Sequence, residues 1–148
     1  WFIYRYILMK GIILTTHGNF ASGLYSTIKM IAGEFENIKI VEFHEGDNLE
    51  DLDQRLVEAY DSLNYDQVVV LTDLAGGTPF NRSVMSLSDK SNVGFLAGVN
   101  FAMLYQALSS ETENLDEFIE EVLETSKESI MKFDLNPSEE NDDDLDGI

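Results

Sequence analysis

The feature that most constrains the fold is a regular alternation of short apolar runs with longer segments of helical spacing. The apolar runs predict strands at residues 11–16, 38–43, 67–74 and 92–98. The segments with helical spacing predict helices over residues 22–32, 49–63, 101–108 and 115–132, and another that begins near Pro79. Strands that are apolar throughout and separated by helices are typical of buried parallel sheets. The sequence therefore predicts an α/β fold, a mostly parallel open sheet that is doubly wound, with helices on both faces.

The length of the chain, 148 residues, suits one domain with its own core. We assign that domain to residues 9–133, within which no repeat or linker occurs. Residues 134–148 hold seven acids and no base, which predicts a solvated acidic tail. Residues 1–8 are apolar, but they lack the features of a signal peptide and are too short for a membrane helix. We expect them to be an extension that lengthens the first strand.

The composition excludes several classes of function. A formal net charge of −19, from 28 acids and nine bases, argues against binding to nucleic acid or to an anionic membrane. The absence of cysteine excludes disulfides, thiolate metal sites and cysteine nucleophiles, and it agrees with a reducing cytoplasm. Two histidines give little support for a zinc site, so we expect no bound metal. His44 is expected to be a solvent-facing loop residue.

Polar side chains follow two of the predicted strands at the edge where the carboxyl ends of parallel strands meet and ligands bind. His17 follows the first strand, and Asp73 follows the third. If these strands are neighbours, Asp73 lies beside His17 and accepts a hydrogen bond from one ring nitrogen, which leaves the other nitrogen free to attack. Taken alone, His17 can equally be a structural residue and Asp73 a turn cap, and both alternatives stay open.

The glycines before Pro79 predict an anion site. Gly76, Gly77 and Thr78 offer N–H groups, a hydroxyl and the positive end of a helix dipole, and the turn at Gly18 leads into another helix that offers the same. A Gly-Gly pair is also common in ordinary loops. The stretch lacks the lysine of a nucleotide-binding phosphate loop and the spaced glycines of a dinucleotide site. It therefore predicts a site for a phosphoryl group, with no cofactor.

These motifs closely resemble the IIA component of the mannose family of the sugar phosphotransferase system. The likeness runs from about residue 9 to residue 133 and includes the turns at residues 11–18 and 97–104. Its specific part is the stretch Asp-x-x-Gly-Gly-Thr-Pro-Phe-Asn at residues 73–81, whereas the histidine turn by itself is not specific.

The resemblance implies a phosphohistidine relay. The carrier protein HPr would donate a phosphoryl group to Nε2 of His17, with Asp73 holding the other ring nitrogen and Thr78 near the phosphate. A histidine of a IIB partner would accept the group and pass it to sugar that enters through the membrane IIC and IID subunits. The resemblance also implies a cytoplasmic homodimer linked by a crossing C-terminal strand. Because the Ala/Pro-rich linker of fused members is absent, IIB is expected on a separate polypeptide.

Other functions stay open at this point. IIA-like relatives serve dihydroxyacetone kinase or lie inside transcriptional regulators, and in a regulatory module the modified histidine would be a signal. A flavodoxin-like cofactor binder is a further alternative, which predicts a coloured protein. Nothing in these residues distinguishes one sugar from another.

Overall fold

The computed structural model describes residues 8–136. The strands are β1 (Gly11–His17), β2 (Ile38–Phe43), β3 (Val68–Thr72) and β4 (Val93–Ala97). The helices are α1 (Phe20–Ala32), α2 (Leu49–Ser62), α3 (Thr78–Leu87), α4 (Phe101–Ser109) and α5 (Leu115–Glu128). Residues 1–7 and 137–148, which hold most of the predicted extension and tail, lie outside the described residues.

The strands form one parallel sheet in the order β2-β1-β3-β4. This confirms the predicted fold class, and it confirms that the first and third strands are neighbours. The register pairs Ile12 of β1 with Ile38 on one side and with Val69 on the other. The chain leaves β1 in one direction to form β2 and later returns to form β3 on the other side. The switch point of the sheet therefore lies between the carboxyl ends of β1 and β3.

Helices cover both faces of the sheet, and the core is divided accordingly. Alternate residues of β1 point to opposite faces, as strand geometry requires. Ile12 and Leu14 pack with residues of α1, α4 and α5, whereas Ile13 packs with residues of α2 and α3. Burial on both faces explains why β1 and β3 are apolar without alternation.

Three element boundaries differ from the prediction by two residues or more. Strand β3 ends at Thr72, because Asp73 already belongs to the turn, and α1 begins at Phe20 rather than at residue 22. Helix α5 ends at Glu128 rather than at residue 132. Its buried side runs from Phe118 through Val122 to Ser126, and the next position on that side, Ile130, is 77% exposed. The helix ends where it no longer has an apolar surface to cover.

A buried lysine lies at the amino end of β1, the end of the strand opposite His17. Lys10 is 2% exposed, and its Nζ donates hydrogen bonds to the carbonyl oxygens of Thr112 and Glu113 at 2.8 and 3.0 Å. Burial lowers the pKa of Lys10, although the nearby carboxylates of Glu113 and Asp66 act in the other direction. Strand β1 begins only at Gly11, so Leu8 does not lengthen it as expected.

Candidate active site at the switch point

His17 ends β1, and its ring is held by Asp73 from the turn after β3. Nδ1 of His17 lies 2.9 Å from Oδ2 of Asp73, and the backbone N–H of His17 donates to the same oxygen at 3.1 Å. Because a carboxylate oxygen accepts, Nδ1 carries the proton and Nε2 keeps its lone pair. The His17 side chain is 43% exposed, so a second protein can reach it.

Two further contacts fix the orientation of the ring. Phe43, which pairs with His17 in the sheet register, makes a T-shaped contact with the imidazole, with 6.3 Å between the ring centroids. On another side, a Cβ atom at Gly77 would lie 2.8 Å from Cε1 of His17, so only glycine allows this close approach. The start of α3 therefore lies directly against the imidazole, next to Cε1, the carbon that joins its two nitrogens.

The first turn of α3 has open hydrogen-bond donors. Its N-cap residue, Gly77, has no side chain to cap the helix, and Pro79 in the first turn has no N–H. Within the described residues, neither the N–H nor the hydroxyl of Thr78 has a hydrogen-bond partner. The preceding turn is held in shape because Nδ2 of Asn81 donates to the carbonyl oxygen of Gly76 at 2.9 Å. This arrangement is suited to an anion.

Two of the glycines predicted to contact phosphate donate their N–H groups elsewhere. The N–H of Gly18 donates to the carbonyl oxygen of Phe43 at 2.8 Å, and that of Gly77 donates to Leu74 at 3.0 Å. Two of the three glycines, Gly18 and Gly76, have positive φ angles of 56° and 79°, a backbone conformation that favours glycine. In this structure, therefore, Gly18 and Gly77 shape the site, and Thr78 supplies its free donors.

The helix that follows His17 does not offer a second anion site, contrary to the expectation from its sequence. In the first turn of α1, the N–H of Ala21 donates to Oγ1 of Thr16 at 2.9 Å. The N–H of Ser22 donates to Oε2 of Glu42 at 3.0 Å, and its hydroxyl donates to the same oxygen at 2.8 Å. A carboxylate already occupies this helix terminus. Glu42 carries no motif that marks it as a site residue, and only its position opposite Thr16 in the strand register could have indicated this contact.

His44 is half exposed in the loop after β2, as expected, but it also has contacts near His17. Its Nε2 lies 3.0 Å from Oδ1 of Asn19, in the turn that carries His17. Carboxylate oxygens of Glu42 and Asp47 lie 3.8 and 3.9 Å from its ring nitrogens. Over the part of the chain that the structure describes, no group of three or more acidic or histidine residues is arranged to hold a metal ion. None of the helices there is long and apolar enough to cross a membrane.

Comparisons with known proteins identify the family and the fold. Residues 11–123 match the family model described as the fructose IIA component of the phosphotransferase system. The mannose-specific EIIAB component of Escherichia coli K12 is 32% identical over 131 residues, which cover 86% of this chain and 41% of that protein. The fructose-specific EIIA component of Bacillus subtilis is 30% identical over 68% of this chain and 70% of its own length.

A solved structure shows the same fold. The mannose/sorbose-specific IIA subunit from Enterococcus faecalis superposes with a TM-score of 0.79 and 30% identity, covering 88% of this chain and 98% of that one. The chain spans about two fifths of the length of the mannose-specific EIIAB relative. On the match of the family model and of these relatives, the chain belongs to the mannose-family IIA components of the sugar phosphotransferase system.

Proposed function

We propose that the protein is a phosphocarrier, which accepts a phosphoryl group from phospho-HPr on Nε2 of His17 and passes it to a histidine of a IIB component. The observation that carries this proposal is the 2.9 Å contact between Nδ1 of His17 and Asp73, with the open donors of Thr78 beside the ring. The membrane IIC and IID components would then use the phosphoryl group in sugar uptake.

The chemistry follows from the protonation of the ring. The lone pair of Nε2 attacks the phosphorus atom, the P–N bond to the donor histidine breaks, and its electron pair returns to the donor nitrogen. Asp73 keeps accepting the Nδ1–H hydrogen bond and stabilises the positive charge that develops on the ring. The hydroxyl and N–H of Thr78 are placed to stabilise phosphoryl oxygens. Transfer to IIB is the same step with this protein as the donor.

Two exposed apolar side chains support docking of a protein at this site. Phe20 is 46% exposed in the first turn after His17, and Leu74 is 59% exposed directly after Asp73. Apolar side chains near a reactive group are typical of surfaces that bind another protein. The partner would cover both residues and bring its own histidine in line with Nε2.

The same proposal includes a cytoplasmic homodimer. Met131, Phe133 and Leu135, three apolar residues after α5, alternate with polar residues and are 77%, 52% and 85% exposed. This alternation predicts a strand with one buried face. Strand β4 is an edge of the described sheet, so a segment from a second copy can pair with it.

Phe133→Asp is expected to give a monomer in analytical ultracentrifugation, whereas a dimer in that variant would contradict this interface.

The direct test is intact-mass analysis after incubation with phosphoenolpyruvate, enzyme I and HPr. The wild type should gain about one phosphoryl unit that is labile to acid, and His17→Ala should gain none while keeping its circular dichroism spectrum. His44→Gln, which removes the only other imidazole, should finally gain the same phosphoryl unit as the wild type, and this test does not depend on how fast it does so. If HPr is charged and the wild type gains nothing, the carrier function is wrong and a role like that of the dihydroxyacetone-kinase or regulatory relatives replaces it.

A further inference from the structure

We infer that His44 is a positioning residue for the nucleophile: its Nε2–H holds the side chain of Asn19 and so fixes the turn that carries His17. The inference rests on the proposed function, because its consequence is a faster transfer to His17. It assigns a role to the second histidine of the chain, which does not contact the reacting atoms.

The sheet register brings the two turns together. His17 pairs with Phe43, so His44 is the first residue beyond the paired strands. The N–H of Gly18 donates to the carbonyl oxygen of Phe43 at 2.8 Å, which ties the backbone of one turn to the strand next to it. The contact of His44 with Asn19 adds a side-chain link one residue further along each of the two segments.

Asn19 is unusual because it does not cap the helix that it precedes. Asn is among the preferred N-cap residues, yet at the N-cap of α1 its side chain makes no capping hydrogen bond. Capping is not needed there, since Thr16 and Glu42 already accept from Ala21 and Ser22. The Oδ1 atom of Asn19 is directed instead to His44.

The link does not depend on the charge of His44. An amide oxygen only accepts hydrogen bonds, so Nε2 of His44 must carry the proton. It does so in the neutral tautomer and in the imidazolium alike. The charged groups around the ring are Glu42, 3.8 Å from Nε2, and Asp47, 3.9 Å from Nδ1, and Asp47 also lies 3.5 Å from Arg55.

Loss of the link should slow the transfer step rather than prevent it. A turn that moves relative to β2 carries the His17 ring away from the geometry in which Nε2 faces the donor phosphorus. One neutral hydrogen bond used for positioning corresponds to a change of about fivefold in rate. The effect is expected in the saturating rate constant, because the contact of His44 is with Asn19 of the turn that carries His17.

The experiment compares single-turnover transfer from phospho-HPr in the wild type, His44→Ala, His44→Gln and His44→Asn. The amide nitrogen of Gln reaches the position of Nε2, whereas that of Asn reaches only the position of Nδ1. We expect His44→Ala and His44→Asn to lower the saturating rate constant about fivefold and His44→Gln to restore it. The ratio of wild type to His44→Gln should stay constant between about pH 6 and about pH 8.

Side-chain amide signals of Asn19 and the ring signals of His17 in NMR spectra provide a readout that needs no phosphoryl transfer. They should shift in His44→Ala and return in His44→Gln. Wild-type rates and unshifted signals in His44→Ala would overturn the inference, and so would failure of Gln to restore the rate or a ratio that follows the titration of a histidine. If the wild type itself accepts no phosphoryl group, the proposed function fails, and the NMR comparison still decides whether His44 holds the turn.

Discussion

Two helix N-termini flank His17, and they differ in whether their N–H groups are already used. At α1, Thr16 and the carboxylate of Glu42 accept hydrogen bonds from the first turn. At α3, Gly77 provides no capping side chain, and among residues 8–136 the donors of Thr78 have no hydrogen-bond partner. Both helices follow a strand of the same parallel sheet, so their dipoles point to the same edge.

Under the proposed function, this difference would let a strongly acidic chain accept a doubly charged group at one place. A helix terminus that already holds a carboxylate stabilises the fold, whereas one that is left open can stabilise an incoming anion. The open terminus is also the one that lies against the imidazole, because Gly77 approaches Cε1 of His17 so closely. We therefore expect substitutions at α3 to change transfer and substitutions at α1 to change stability.

Gly77→Ala should have the largest effect. The new Cβ would lie 2.8 Å from Cε1 of His17 and 3.2 Å from the carbonyl oxygen of Leu74, so either the ring or the turn must move. A displacement of this size is expected to lower the rate of phosphoryl transfer about 100-fold. Gly23→Ala in α1 is the matched control, because nothing lies within 4 Å of its new Cβ. It should transfer normally and be more stable by about 0.5–1 kcal/mol. Normal transfer in Gly77→Ala would contradict the packing described for the ring.

Thr78→Val should have the next largest effect. It removes the hydroxyl but keeps the volume and the N–H of the first turn of α3, so we expect about a tenfold lower rate of transfer. Thr78→Ser keeps the hydroxyl and should stay close to the wild type. Rapid-quench measurements of the rate of phosphoryl transfer from phospho-HPr would distinguish the two variants. Equal rates in both would mean that the hydroxyl does not contact the phosphoryl group.

Glu42→Ala tests the closed terminus. The carboxylate is largely buried, with 16% of its side chain exposed, and it accepts two hydrogen bonds from Ser22. Its removal should lower the free energy of unfolding by about 1 kcal/mol, as loss of a helix cap does. The transfer rate should change by less than about twofold at a temperature where the variant is folded. A large loss of rate with unchanged thermal stability would reverse the assignment of the two termini.

Asp53→Asn should have the smallest effect. Asp53 of α2 receives hydrogen bonds from Nε and Nη2 of Arg82 and so holds α3 against α2. The hydrogen bond from Arg82 lowers the pKa of Asp53 in the folded protein, although partial burial acts against this. A carboxyl with a lowered folded pKa contributes stability above its unfolded pKa, about pH 4, and loses it as the pH falls further.

We therefore expect a melting temperature for Asp53→Asn about 2 °C below that of the wild type at neutral pH. The difference should shrink in thermal melts as the pH falls below about 4, and disappear once the pH is below the lowered pKa of Asp53 in the folded protein. A difference that persists or grows in acid would show that the carboxylate charge of Asp53 is not the cause.

The sequence predicted the sheet from the order of its elements, and it predicted the pairing of His17 with Asp73 on the condition that the first and third strands are neighbours, which the strand order meets. Strand ends on a parallel sheet meet at one edge, and this rule needs no side-chain detail. The contacts of Glu42 with Ser22 and of His44 with Asn19 could not be predicted in the same way, since they depend on the register of β1 against β2. Gly77 was identified as a site residue, but its N–H donates to Leu74, and its close approach to the ring was visible only in three dimensions.

The most direct test is NMR spectroscopy of the phosphorylated, nitrogen-labelled protein. We expect phosphorus coupling to Nε2 of His17, a proton retained on Nδ1, and a large shift of the amide signal of Thr78. The amide signals of Ala21 and Ser22 should move little, because Thr16 and Glu42 still accept from them. Phosphorylation on Nδ1, or large shifts at Ala21 and Ser22 with none at Thr78, would contradict the account.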